Sequence, residues 1–141
     1  MKLTAARSMI DAALAHARKK DMSPLAVVVL DARGVLKFAA AEDGTSLRRA
    51  EIATGKAHGA LAMGLGSRTL HTRVQKQPYF IAAVTHAVGG LMVPVPGGVL
   101  IRSTDGELLG AIGISGDNSD NDEEAAMAGI AAVGLVGDPG T

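Results

Sequence analysis

Leu25-Ala26-Val27-Val28-Val29-Leu30-Asp31-Ala32-Arg33-Gly34-Val35-Leu36-Lys37-Phe38-Ala39-Ala40 is the stretch on which the fold class turns. Leu25 to Leu30 is a run of strand length rich in β-branched residues. Asp31 to Gly34 carries turn residues, and Val35 to Ala40 returns as a second strand, so the segment predicts a β-hairpin. A second hairpin is expected further on, with Val99 to Arg102 and Leu108 to Ile114 as strands around the Thr104-Asp105-Gly106-Glu107 turn. Hairpins in pairs favour an antiparallel sheet, which needs helices to cover its apolar faces.

Helical patterns surround both hairpins. Thr4 to Lys20 carries an apolar stripe of Met9, Ile10, Ala13, Leu14 and Ala17. Thr4 suits its N-cap, Leu3 suits a staple position, and the Arg18-Lys19-Lys20 cations suit the negative end of its dipole. Leu47 to Leu65 predicts a long helix ended by Gly64-Leu65-Gly66. Ser67 then caps a shorter helix to Gln75, and Pro78 opens another over Tyr79 to Val88, closed by Gly89-Gly90. Asp120 or Asn121 is expected to cap an Ala-rich final helix reaching about Val136, with a tail from Asp138 to Thr141. The expected order is helix, hairpin, helices, hairpin, helix. The fold class is α+β, one domain over residues 1–141.

Composition narrows the function classes. At 141 residues the chain holds one core. Fourteen basic and fourteen acidic residues cancel, so no global field draws in nucleic acid or an anionic membrane. Zero cysteines exclude disulfides, thiolate nucleophiles and Cys-ligated metals. With no Trp, one Tyr and two Phe, the core is built from Ala, Val, Leu, Ile and Met. No apolar run reaches the 18 or so residues of a membrane span. Met1-Lys2-Leu3-Thr4 leads directly into an amphipathic pattern containing Asp11, not into the apolar stretch of a signal peptide, so the expected location is the cytoplasm. Zero net charge on a small apolar chain points to surface hidden in a homo-oligomer.

Several residue groups are candidates for chemistry. Arg49 and Lys56 stand seven apart, only about 20° from each other around a helix axis, and could hold a carboxylate or propionate of a bound molecule. Snorkelling side chains, or a salt bridge to the acids of the last helix, explain the same spacing. Gly55 and Gly59 among alanines allow very close packing of a neighbour. Pro94-Val95-Pro96-Gly97-Gly98 is either an anion nest of backbone N–H groups or a plain turn into a strand. The glycines of Gly110-Ala111-Ile112-Gly113-Ile114-Ser115-Gly116 do not have dinucleotide-binding spacing; they let a helix or ligand lie flush on the sheet. Asp117 to Glu124 lacks the Gly and the final Glu of a calcium loop, leaving Asp120 and Glu123 in capping-box spacing, with Glu123 or Glu124 as a candidate general base. The four histidines, His16, His58, His71 and His86, have no helical i,i+3 or i,i+4 pairing, which argues against a zinc site on one helix. A haem iron needs only one or two axial ligands, and His16 and His86 are the first histidines to test as such.

Four segments in order, Val28-Val29-Leu30-Asp31-Ala32-Arg33-Gly34, Ala53-Thr54-Gly55-Lys56-Ala57, Pro96-Gly97-Gly98-Val99-Leu100-Ile101 and Gly110 to Gly116, resemble the GlcG/HbpS family of haem-binding or haem-degrading proteins. That family includes the C-terminal domain of the PduO cobalamin adenosyltransferase. The resemblance runs from the first helix to about Val136. It implies a profilin-like domain, a central antiparallel sheet flanked by helices, assembled into dimers or larger even-numbered oligomers. By position Lys56 matches the family's Lys-Ala pair, Gly97 and Gly98 its double glycine, and Gly113 to Gly116 its Gly-x-Ser-Gly. None of the histidines falls on these motifs.

The leading expectation is a cytoplasmic, oligomeric small-molecule-binding protein of the haem or tetrapyrrole type, with Arg49, Lys56, Gly97, Gly98, His16 and His86 as cofactor-binding candidates. The alternative is an enzyme of organic-acid or aromatic catabolism. There Lys56 and the Gly97-Gly98 loop would bind a carboxylate, and Glu123 or His58 would move a proton. A structural or accessory oligomer is the third reading, and whether any reaction is catalysed stays open. The first two readings share one requirement: the Lys56 amine and the Pro-Gly-Gly corner must meet at a common hollow.

Overall fold

The computed structural model describes all residues from Met1 to Thr141. In chain order the elements are α1 (Leu3–Lys19), β1 (Ala26–Asp31), β2 (Leu36–Ala41), α2 (Arg49–Met63), α3 (Ser67–Lys76), α4 (Pro78–Ala87), β3 (Gly98–Arg102), β4 (Leu108–Ser115), α5 (Ser119–Ala132) and β5 (Val136–Asp138). Both hairpins form, and β1 pairs with β4 to join them into one antiparallel sheet of order β2-β1-β4-β3-β5. The fold is α+β, as expected.

Alternation along the strands divides the core into two layers. Val27 and Val29 of β1, Val99 and Ile101 of β3, and Ile112 and Ile114 of β4 face α1 and α5. Val28, Leu30, Leu100 and Ala111 face α2. The inner strand β1 is therefore buried on both sides and reads as a continuous apolar run. A third, smaller cluster of Leu70, Ile81 and Met92 holds α3 and α4 beside this sandwich.

Small residues set how closely α2 lies on the sheet. A Cβ at Gly113 would collide with Ala53 O, and one at Gly98 with Lys56 O, so no side chain is tolerated where helix backbone meets strand backbone. Gly55 and Gly59 receive the chain on another flank, where a Cβ would come within 2.7 Å of Val93 Cγ2 and 3.1 Å of Met92 Cγ. The strand glycines thus admit a helix. Gly64 ends α2 at φ +65°, and Gly89 and Gly90 follow α4 at φ +82° and +83°.

Four expectations are corrected. Ser67 does not cap α3: it is the first residue of the helix, behind an N-cap at Gly66, and its hydroxyl accepts the Gly98 N–H. Residues Val136–Asp138 form an edge strand on β3 instead of a helix end and tail, and Asp138 pairs with Arg102 at 3.2 Å. The N-cap of α5 is Asn118, whose side chain accepts the Asn121 N–H, because Asp120 and Glu123 are drawn away to Arg68. α1 begins at Leu3 with no side-chain cap, so Thr4 lies inside it.

Candidate functional site

Lys56 sits on the sheet-facing side of α2 and is 2% exposed. Its Nζ donates to Ile114 O at 2.8 Å, at the end of β4, and to Asp122 Oδ2 at 2.9 Å, in the first turn of α5. Since α2 and α5 cover opposite faces, the side chain reaches past the end of the sheet to make this pair. Gly97 leaves it room: a Cβ there would lie 2.9 Å from Lys56 Nζ and 3.1 Å from Asp122 Cβ. Asp122 is equally buried, and its other oxygen accepts the Asp117 N–H at 3.0 Å. Burial pushes the Lys56 ammonium below its ordinary value, with Asp122 opposing and Arg49 adding to the fall. Burial likewise pushes the Asp122 carboxyl up, against the pull of Lys56.

The amine and the Pro-Gly-Gly corner do meet, but Asp122 and Ile114 O fill the space between them. The salt bridge to the last helix is the alternative that Lys56 takes. The corner's Gly98 N–H is likewise committed, donating to Ser67 Oγ at 2.7 Å. Asp122 escaped the reading of the acidic loop, although a signal for it existed: it precedes the buried Ala125, Ala126 and Gly129 at helical spacing, and so belongs to the inward stripe of α5.

The remaining candidates are dispersed. Arg49 is half-buried, with Nε on Ser46 Oγ at 3.1 Å and Nη1 on Ser115 Oγ at 3.3 Å. Glu123 receives Arg68 Nε on both carboxylate oxygens at 3.1 Å. His16 Nε2 lies 2.7 Å from Glu124 Oε1, which Lys20 also approaches at 3.5 Å. His86 is exposed in the last turn of α4. His71 faces Gln75 at 3.3 Å through Nε2, and its Nδ1 is buried without a partner.

His58 differs from the other three histidines. Its Nδ1 is 2.8 Å from Leu91 O. A carbonyl only accepts, so the ring proton sits on Nδ1, and Nε2, with no protein partner, carries a free lone pair. The ring lies against the β1–β2 turn, where a Cβ at Gly34 would come within 3.7 Å of His58 Cδ2. The residues beside these two contact points are exposed apolar side chains: Val35 (49%), Leu36 (59%) and Leu91 (39%). At 100° per residue His58 stands about 160° around α2 from Lys56. One helix therefore carries a saturated cation inward and an open nitrogen donor outward.

The family model described as haem-degrading protein HbpS-like matches residues 1–131. The chain belongs to the HbpS-like family. Among solved structures it is similar to a PduOC–haem complex, at 27% identity and a TM-score of 0.84, with 96% of each chain covered. It is also similar to a double mutant of Streptomyces reticuli HbpS, at 26% identity and a TM-score of 0.79, covering 93% of this chain and 85% of that one. Klebsiella pneumoniae protein ORFY, at 20% identity and a TM-score of 0.85, shares the fold over 95% of this chain and 90% of its own. No curated protein matches the sequence. No helix is long and apolar enough to cross a membrane.

Proposed function

We propose that this member of the HbpS-like family binds haem or a related tetrapyrrole, with His58 as the iron ligand. The observation that carries the reading is the His58 ring, held by Leu91 O through Nδ1 and open at Nε2 beside exposed Val35, Leu36 and Leu91. A carbonyl on the far ring nitrogen fixes the tautomer and orients an imidazole for a metal. Exposed apolar side chains supply the surface that a macrocycle needs in order to leave water. The relative solved as a haem complex supports the same ligand class. Haem, when bound, would supply an iron that takes up nitrogen donors. This chain contributes the ligand, its orientation and apolar cover.

Arg49 and Lys56 do not converge with His58, so neither is its companion for propionates in this reading. No observation favours the carboxylate-handling enzyme, because the Lys56 amine borders no cavity and Glu123 is occupied by Arg68. The proposal includes a cytoplasmic, even-numbered homo-oligomer. The free edge of β2 is a surface that a second copy would cover.

Titration with ferric haem tests the assignment. A Soret band distinct from that of free haem is expected, saturating at one haem per chain, with affinity at least tenfold weaker in His58→Ala. A band equal to that of free haem, or an unchanged affinity in the variant, overturns it. Light scattering on the same samples checks the assembly.

A further inference from the structure

The charge pattern of the chain is uneven in a way that net neutrality conceals. No Asp or Glu stands between Glu51 and Asp105, while Lys56, Arg68, Arg73, Lys76 and Arg102 all lie in that interval. Three of these five find carboxylates elsewhere: Lys56 on Asp122, Arg68 on Asp120 and Glu123, and Arg102 on Asp138. Arg73 and Lys76 pair with none.

These two free cations border the larger of the molecule's two surface cavities, a groove of about 470 Å³ lined by Thr69, Thr72, Arg73, Lys76 and Gln77. Positions 69, 72, 73 and 76 follow the i, i+3, i+4, i+7 spacing of one helix face, so α3 itself brings hydroxyls and cations together. Gln77 adds an amide at the junction with α4. The Arg73 guanidinium stands over the Phe80 ring, 4.5 Å from its centroid, which restrains it before any ligand arrives. No carboxylate and no apolar side chain lines the groove.

We propose that this groove is a binding site for a small hydrophilic oxyanion carrying two or more carboxylate or phosphate oxygens. Arg73 and Lys76 would engage its charge, and the Gln77 amide and the Thr69 hydroxyl proton its remaining oxygens, since the Thr72 hydroxyl donates to Arg68 O at 3.2 Å and Thr69 Oγ1 accepts the Thr141 N–H at 2.9 Å. The wholly polar lining does not suit a tetrapyrrole, so the site is separate from the one at His58. Two unpaired cations are too few for a nucleic-acid backbone but match a small polyanion.

Calorimetric titration of the full chain with citrate, and separately with inorganic phosphate, tests this at constant ionic strength in chloride, where general charge attraction is screened. At least one probe is expected to bind saturably, once per chain. Arg73→Gln and Lys76→Gln, shown folded by circular dichroism, should each weaken it tenfold or more. The probe that binds more tightly identifies the source of the oxyanion. Binding of neither probe at 10 mM, or affinities unchanged in both variants, overturns the proposal. So does a parallel loss of haem uptake in Arg73→Gln, which would make the groove part of the haem site; citrate binding itself is read without haem, so failure of the His58 assignment leaves this result intact.

Discussion

Lys56 and His58 are two residues apart on α2 and have opposite environments. The Lys56 amine is buried and bonded to a carbonyl and a carboxylate, and its carboxylate partner has both oxygens occupied. His58 keeps one nitrogen unpartnered, on a ring set against two segments that carry exposed apolar residues. A conspicuous charge in a matching motif is here part of the framework, and a histidine outside every motif keeps an open nitrogen on a ring that a backbone carbonyl orients. Whether a group's bonding capacity is already filled separates the two better than residue type does.

The largest effect is expected where the filled region is broken. Lys56→Met leaves Asp122 buried without its counter-charge and should cost about 3–5 kcal/mol in urea unfolding. Adding Asp122→Leu removes the stranded charge, so the double variant should unfold at a midpoint between those of Lys56→Met and the wild type. Gly113→Ala probes the same layer by overpacking: its Cβ meets the Ala53 carbonyl, and a loss of about 2–3 kcal/mol is expected.

A smaller, pH-dependent effect belongs to the loop that brings Asp122 into place. Asp117 accepts the Ser23 N–H at 2.7 Å, the Asn118 N–H at 2.7 Å and the Asn121 amide at 2.8 Å. The Ser23 and Asn118 N–H bonds, with that of Asn121, hold its carboxyl below the usual 3.8. A depressed carboxyl stabilises the fold above its unfolded value and loses that contribution as pH falls through the folded one. The urea midpoint should therefore drop below about pH 3.8, and Asp117→Asn should flatten the drop. His58→Ala, at the open region, is expected to shift stability by less than about 0.5 kcal/mol.

The sequence made the sheet and its packing helix legible because their periodicities are strong. Val27 to Leu30 alternates between two buried faces, and Gly98 of β3 and Gly113 of β4 mark where strand and helix backbones touch. Val136-Gly137-Asp138 was not legible. Three residues around a glycine carry no strand pattern, and pairing with β3 plus the Arg102–Asp138 contact create the element. In the polar loop from Asp117 to Glu124 the expected caps are Asp120 or Asn121, but Arg68, far along the chain, takes Asp120, and the Asn121 amide is bonded to Asp117, which leaves the cap to Asn118. For the site, the Lys56 meeting with Gly97 and Gly98 was readable, while its saturation by Asp122 needed three dimensions. The outward donor at His58 depends on Leu91 O, thirty-three residues away, which no local spacing reveals.

The most direct test of this division is a Soret titration of two variants side by side, His58→Ala and Lys56→Met with Asp122→Leu, at a temperature where both are folded. The account predicts that the double variant takes up haem within about twofold of the wild-type affinity while His58→Ala loses at least tenfold. Retained binding in His58→Ala with loss in the double variant would contradict it.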